Sequence, residues 1–356
     1  MNKKKTTLLD IARALNITPS TVSRALNNHP RISEKTSKRV LKMAADLNFE
    51  PNKIASALRS GKSKLVGIVV PTVNRNFFSS VIRGIEAHTE KLGYHVILSQ
   101  SYDDPVKEKQ IVKALVNAGV DGVIASLGKN TTEFNHFQEV LERGIPLVLF
   151  DRVTDKLDVS QVMIDDYLGA YQAVEHLINQ GCLRIVHLTN FRKINIYKER
   201  LRGYQDALID YKIQFDKRLV VESNMQLEDG RKSMENLLEK GINFDAVFSA
   251  SDYSIMGAMQ VLIEMGINIP ENVKLVGFGN EPFTSFTAPS ISTVDQKSIA
   301  MGNLTAEIFF ELLEKPPKDR IPQKTILKPE LIIRGSSLSE KTSGKGLMKR
   351  YLFRFP

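Results

Sequence analysis

The side chains best suited to chemistry in this 356-residue chain lie near its start, in the run TPSTVSRALN at 18–27. Ser20, Ser23 and Arg24 fall on the polar side of a helical pattern whose apolar side is Val22, Ala25 and Leu26. An arginine fork matches guanine O6 and N7 in a major groove, and hydroxyls match phosphate oxygens. That is recognition, with no bond made or broken. The signs of catalysis fail on spacing. Gly61-Lys62-Ser63 looks like the end of a phosphate-binding loop, but the glycine required at position 56 is Ser56. The six histidines, at 29, 88, 95, 136, 176 and 187, show no metal-ligand spacing, so no metal is expected. The lone Cys182 excludes an intramolecular disulfide and reads as a small core residue. No carboxylate pair is marked for acid–base work, and no cofactor is implied.

The elements that must position these groups are short helices. Thr7 and Asp10 have the spacing of a capping box, and Leu8, Ile11, Ala12 and Leu15 share one face of the helix that follows. Asn16 tolerates the left-handed backbone that ends it. Thr18 caps the second helix with Pro19 at its first position, where no amide is needed. Ser33 caps a third, whose Val40, Ala44 and Leu47 close a small core. The pattern is a helix-turn-helix whose second helix shows polar groups to a DNA groove.

Charge agrees with that placement. Residues 1–64 hold 14 Lys/Arg against 4 Asp/Glu, whereas the remaining 292 hold 35 against 36. The basicity belongs to the helix-turn-helix segment, as a phosphate footprint requires. Hydrophobic content of 42% and charged content of 25% are ordinary globular values. Asp10 and Arg13 interrupt any signal peptide, and no stretch reaches ~18 apolar residues, so a soluble, cytoplasmic protein without membrane contact is expected.

From Leu65 the texture becomes alternating strand and helix. LVGIVV, YHVILS, VDGVIAS, IPLVLF, CLRIVHL, INFDAVFSA and NVKLVGF read as buried strands. Gly93, Gly119, Gly144, Gly181, Gly241 and Gly266 stand where helices must turn left-handed before the next strand. Such alternation implies parallel, doubly wound sheets, and there are enough units for two similar halves with a cleft at the strands' C-terminal ends.

The run TVSRALN, then ISEKTSKRVLKMAADLNFEPNKIASALRSGKS, then LVGIVVP resembles the lac-repressor family of bacterial transcription regulators, and the likeness extends to about Ser336. The resemblance implies an α/β core of two periplasmic-binding-protein-like subdomains behind an all-α helix-turn-helix domain. It divides the chain into a DNA-binding domain at 1–50, a hinge at 51–63, a core at 64–338 and a basic tail at 339–356 that is expected to be disordered. Within the core, 64–164 plus 293–317 form one subdomain and 165–292 plus 318–338 the other. The implied crossings fall near Asp165, Thr293 and Lys318. The family's readout positions match Pro19, Ser20 and Arg24, with Thr7, Thr18, Ser23, Asn27 and Arg31 as phosphate contacts. Asn52, Ala55 and Leu58 match a hinge whose leucine enters the minor groove. A homodimer on a pseudo-palindromic operator follows, with the helical region from Phe77 to Lys91 as interface candidate.

The same resemblance implies a small-molecule effector in the core cleft, a sugar or sugar acid, and a nucleoid-associated repressor. The loops NRNFFSS, FDR at 150–152, YKERLRGY, ASD at 250–252 and GFGNEPF should line the cleft. Phe77 and Phe78 offer an apolar face, Asp151 matches a cleft acid, and Arg200 an effector-binding arginine. Ser251 stands where several sugar-binding members carry Asn. Gly279, followed by Asn280 as a candidate contact, replaces an acid found in many relatives, so less negative charge is expected there. Two rivals are an enzyme with a nucleic-acid-binding appendage, which lacks a nameable catalytic constellation, and a free-standing sugar-binding protein, against which the basic N-terminal segment argues.

Overall fold

A computed structural model describes residues 6–27, 29–49, 62–190 and 194–338. The chain divides into two units between Ser63 and Lys64. The hinge residues Asn52, Ala55 and Leu58 and the tail at 339–356 lie outside the described residues.

The first unit holds α1 (Leu8–Leu15), α2 (Pro19–Leu26) and α3 (Glu34–Asp46). Its core is Ile11, Ala12, Val22, Ala25, Val40 and Ala44, with Leu8, Leu15 and Leu47 packed partly buried around them. Asn16 takes φ 53° at the end of α1. Thr18 Oγ1 accepts the Thr21 amide at 3.2 Å, and Ser33 Oγ that of Thr36 at 3.3 Å. At α1 the Asp10 carboxylate accepts both the Thr7 amide (2.8 Å) and the Thr7 hydroxyl (2.7 Å), so the hydroxyl donates to the acid.

The second unit has two lobes, each built on a six-stranded sheet. Lobe one contains β1 (Leu65–Val70), α4 (Asn76–Lys91), β2 (His95–Gln100), α5 (Pro105–Asn117), β3 (Gly122–Ala125), α6 (Asn135–Glu142), β4 (Leu147–Phe150) and β5 (Ser160–Ile164). Lobe two contains α7 (Asp166–Asn179), β6 (Ile185–Thr189), α8 (Asn195–Asp210), β7 (Val220–Glu222), α9 (Leu227–Glu239), β8 (Ala246–Ser249), α10 (Asp252–Glu264), β9 (Lys274–Phe278) and β10 (Ser292–Asp295). The chain then supplies α11 (Ser298–Glu314) and β11 (Lys324–Leu327) to lobe one and β12 (Glu330–Ile332) to lobe two. Sheet orders are β11-β5-β4-β3-β1-β2 and β12-β10-β9-β8-β6-β7, parallel throughout except for the β10–β12 pair. All six predicted capping glycines have positive φ, from 61° to 88°.

Two crossings differ from expectation. Thr293 lies inside β10, so the second crossing falls after Asp295. The third falls between Leu327 and Glu330, because Lys324–Leu327 pairs in parallel with β5. The stretch after Lys318, expected to belong whole to the second subdomain, holds two short strands in different sheets, divided at Lys328-Pro329, and a proline cannot donate to a ladder.

The amphipathic stripe of α4 is spent within lobe one. Phe77, Phe78, Val81, Ile82 and Ile85 join Met301, Phe309 and Phe310 in one cluster. Helices α4 and α11 meet at two glycines: a Cβ on Gly302 would lie 2.1 Å from the Val81 carbonyl oxygen, and one on Gly84 2.6 Å from that of Ile299. The exposed side of α4 carries Ser79, Arg83, Glu86, Ala87 and Glu90, so an interface there would be largely polar.

Candidate functional site

In the first unit, burial of Val22 and Ala25 fixes the orientation of α2. Thr18, Pro19, Ser20, Arg24 and Asn27 are exposed on it or at its ends, Ser23 is half-buried, and Thr7 and Arg31 are exposed beside it. The Thr18 hydroxyl lies 2.8 Å from that of Ser20, and Asn27 Nδ2 donates to the Ser23 carbonyl at 2.7 Å. A polar, cationic face on a rigid helix can read base edges and phosphates.

In the second unit a cleft opens at the C-terminal ends of the strands of both lobes. Lobe one contributes Arg75, Phe77, Phe78, Asp103, Lys129, Asp151 and Arg152; lobe two contributes Tyr197, Arg200, Gln226, Ser251, Asp252, Gly279 and Glu281. Phe77 and Phe78 pack edge to face, 5.1 Å between centroids. About 110 Å³ of space remains between the lobes. A second cavity of about 520 Å³ is larger and includes Asp155, Lys198, Arg202 and Lys324. Among the described residues, every buried polar side-chain atom left unpartnered along these two cavities lines the smaller one: Arg75 Nη1, Asp151 Oδ1 and Arg152 Nε. An orphaned buried donor or acceptor costs about 1–3 kcal/mol, so the smaller cleft is the candidate ligand site.

The charges in this cleft are unequally committed. Arg200, 3% exposed, contacts Asp166 Oδ1 through Nε (2.8 Å) and Nη2 (2.7 Å) and donates to the Ala250 carbonyl (2.7 Å), its guanidinium 3.6 Å over the Phe278 ring. Burial pushes the Asp166 carboxyl up to about 7 against the pull of Arg200. Arg152 donates to Asp103 at 2.7 Å. Arg75 reaches across the lobes, donating to Gln226 Oε1 at 2.7 Å with its guanidinium 3.5 Å over the Tyr253 ring. Burial lowers the Arg75 pKa and raises that of Asp151, in each case disfavouring the charged form. The Asp252 carboxyl is raised to about 7 by burial, although it accepts the Glu281 amide (2.8 Å) and the Thr293 hydroxyl (2.7 Å). No group of three or more metal-ligating side chains occurs among the described residues.

Two family models match: residues 7–52 match the bacterial regulatory proteins of the lacI family, and 174–337 a periplasmic binding protein-like domain. The HTH-type transcriptional regulator GalR of Salmonella typhimurium is 30% identical over 337 residues, 94% of this chain and 97% of that protein. The chain belongs to the lacI family of bacterial regulatory proteins. The ribose operon repressor of Halalkalibacterium halodurans is 29% identical over 327 residues, 91% of this chain and 96% of that protein. A lac repressor dimer bound to operator and an anti-inducer shares the fold, with TM-score 0.85 at 24% identity over 94% of this chain and 100% of that one. Among the described residues, no helix is long and apolar enough to cross a membrane.

Of the residues named from sequence as effector contacts, Phe77, Phe78, Asp151, Arg200 and Ser251 are placed in the cleft lining. Asn280 is not: its Oδ1 accepts from Arg334 at 2.9 Å and its amide donates to the Thr293 hydroxyl. The YKERLRGY segment is part of α8, not a loop, and presents Tyr197 and Arg200 from the helix's first turns. Nor is the cleft short of acid at Gly279. That residue has φ 136°, which disfavours any side chain, and a Cβ there would sit 3.3 Å from the Asp252 carboxylate. Sequence reasoning missed Arg75, Arg152, Asp103, Gln226, Asp252 and Glu281 as individual contributors. Four of them stood inside the loops expected to line the cleft, Arg75 in NRNFFSS, Arg152 in FDR, Asp252 in ASD and Glu281 in GFGNEPF, whereas Asp103 and Gln226 carried no signal.

Proposed function

We propose that this chain is a ligand-responsive repressor that binds a pseudo-palindromic operator as a homodimer. A sugar or sugar acid in the interlobe cleft sets its affinity for DNA. The observation that carries the reading is one chain joining a cationic helix-turn-helix to a two-lobed core whose cleft keeps orphaned charged atoms. In this reading Pro19, Ser20 and Arg24 meet base edges, while Thr7, Thr18, Ser23, Asn27 and Arg31 hold phosphates. Phe77, Phe78, Asp151, Arg200 and Ser251 face the ligand. The chain performs no chemistry, needs no cofactor and works in the cytoplasm on the nucleoid. The relatives support the class: one is named for repression of a ribose operon. The test is fluorescence anisotropy of an operator selected from random DNA, titrated with neutral sugars, sugar acids and nucleobases. A selective change in operator affinity with one sugar class is expected. Sequence-indifferent binding that no member alters would overturn the proposal.

A further inference from the structure

The cleft holds two guanidiniums from lobe one that are not equivalent to Arg200. Arg152 is one of the groups that lower the Arg75 pKa, and each arginine keeps a buried N–H with no hydrogen-bond partner, on Arg75 Nη1 and on Arg152 Nε, the latter 4.0 Å from Asp151 Oδ2. Arg152 has Asp103 at 2.7 Å. Arg75 has no carboxylate within ion-pair distance among the described residues; its contacts are the Gln226 amide oxygen and the Tyr253 ring. The nearby Glu281 carboxylate takes the Asn76 amide at 3.2 Å and leaves Arg75 without a direct partner. A partly desolvated cation that faces another cation and holds an orphaned donor is stabilised by an anion placed between the two. Beside them the Asp151 carboxyl, 3% exposed, presents an orphaned Oδ1. That atom suits a ligand hydroxyl. The space of about 110 Å³ suits a compact molecule, since a cavity of ~150 Å³ holds one benzene.

We infer that the ligand is a compact polyhydroxy acid whose carboxylate bridges Arg75 and Arg152 while a hydroxyl donates to Asp151. This rests on reading the cleft as the effector site. It moves recognition of the acid from Arg200, whose fork is committed to Asp166 and Ala250, to Arg75. Arg75 is the specificity residue, because among the described arginines of the cleft its charge is the one without a carboxylate at ion-pair distance.

The test is calorimetry on the full-length protein with three matched pairs: gluconate and glucose, ribonate and ribose, glycerate and glycerol. At least one acid should bind tenfold or more tighter than its neutral parent. Arg75→Gln should weaken the acid at least tenfold more than it weakens the neutral parent, and Arg75→Lys should keep part of the preference. Equal loss for acid and parent in Arg75→Gln would mean that Arg75 merely latches the lobes, and would overturn the inference. A preference for neutral sugars would also overturn it, and operator release by those sugars would leave the effector reading intact. No response of binding or operator affinity to any of the six compounds or to nucleobases would overturn both. Unchanged melting temperatures in the two variants establish that they fold.

Discussion

Replacing Arg24 with alanine separates sequence reading from phosphate attraction. In the structure the Arg24 side chain is exposed and α2 is anchored by Val22 and Ala25 on its other side. Removing it therefore leaves no buried group orphaned, and alanine is if anything a better helix former. The unit should keep its stability, so any change in binding belongs to DNA. A bidentate arginine–guanine pair discriminates by about 1–3 kcal/mol, a factor of roughly 5–150 per half-site. Arg31→Ala, which removes an exposed cation beside the helix, should instead weaken every sequence alike. It should also lower the slope of log K against log salt by about 0.9 per subunit. Anisotropy titrations at four salt concentrations, on a selected operator and on variants with each guanine replaced, measure both quantities. The expected pattern is that Arg24→Ala flattens the difference between operator and one guanine variant and leaves the others. Equal weakening of all sequences by Arg24→Ala would refute the assignment.

Three further outcomes are expected. Thr18→Ala removes the α2 cap and should cost about 1 kcal/mol, seen as roughly fivefold faster amide exchange within 19–26. Gly302→Ala drives a methyl to 2.1 Å from the Val81 carbonyl oxygen and should destabilise lobe one by about 2 kcal/mol, after about 1 kcal/mol of helix propensity is set against overpacking; an unchanged thermal transition would mean α4 and α11 can part freely. Asp252, raised to about 7 by burial, favours the protonated form in the fold, so its stabilisation is full below about pH 4 and is lost as pH rises through 7. Asp252→Asn should flatten that loss between pH 5 and 8 in urea titrations, leaving the parallel contribution of Asp166.

What the sequence revealed was local. Caps at Thr18 and Ser33, the left-handed Asn16 and the six glycines before strands are decided by neighbouring residues, and the structure has them. The β-branched strands of each lobe's interior are likewise visible as apolar runs. The edges were not. Lys324–Leu327 and Glu330–Ile332 are short and only partly buried, and their separate sheets depend on partners over 160 and about 35 residues away. The cleft shows the same division. Asp151 and Arg200 were found through motif resemblance, whereas Arg75 acquires its meaning only where Gln226 and Tyr253 fold against it from the other lobe. Asn280 failed for the converse reason: Arg334, 54 residues later, takes its side-chain oxygen.

That division bears on how a ligand could control DNA affinity. A ligand shifts an equilibrium only by its differential affinity for two states, so it must touch groups whose relative position changes. The cleft provides such groups. Arg75 to Gln226, the Asn76 amide to Glu281, and Asn195 to the Asp151 carbonyl and Val153 amide all join one lobe to the other. Among the described residues the lobes are connected covalently at three places, near 165, between Asp295 and Ser298, and between Leu327 and Glu330. A ligand held by Asp151, Arg152 and Arg75, the last of which bonds Gln226 of lobe two, would favour the arrangement in which these contacts form together. A coupling of about 1–3 kcal/mol, or 5- to 150-fold in operator affinity, needs no more than one or two such hydrogen bonds made in one arrangement and absent from the other.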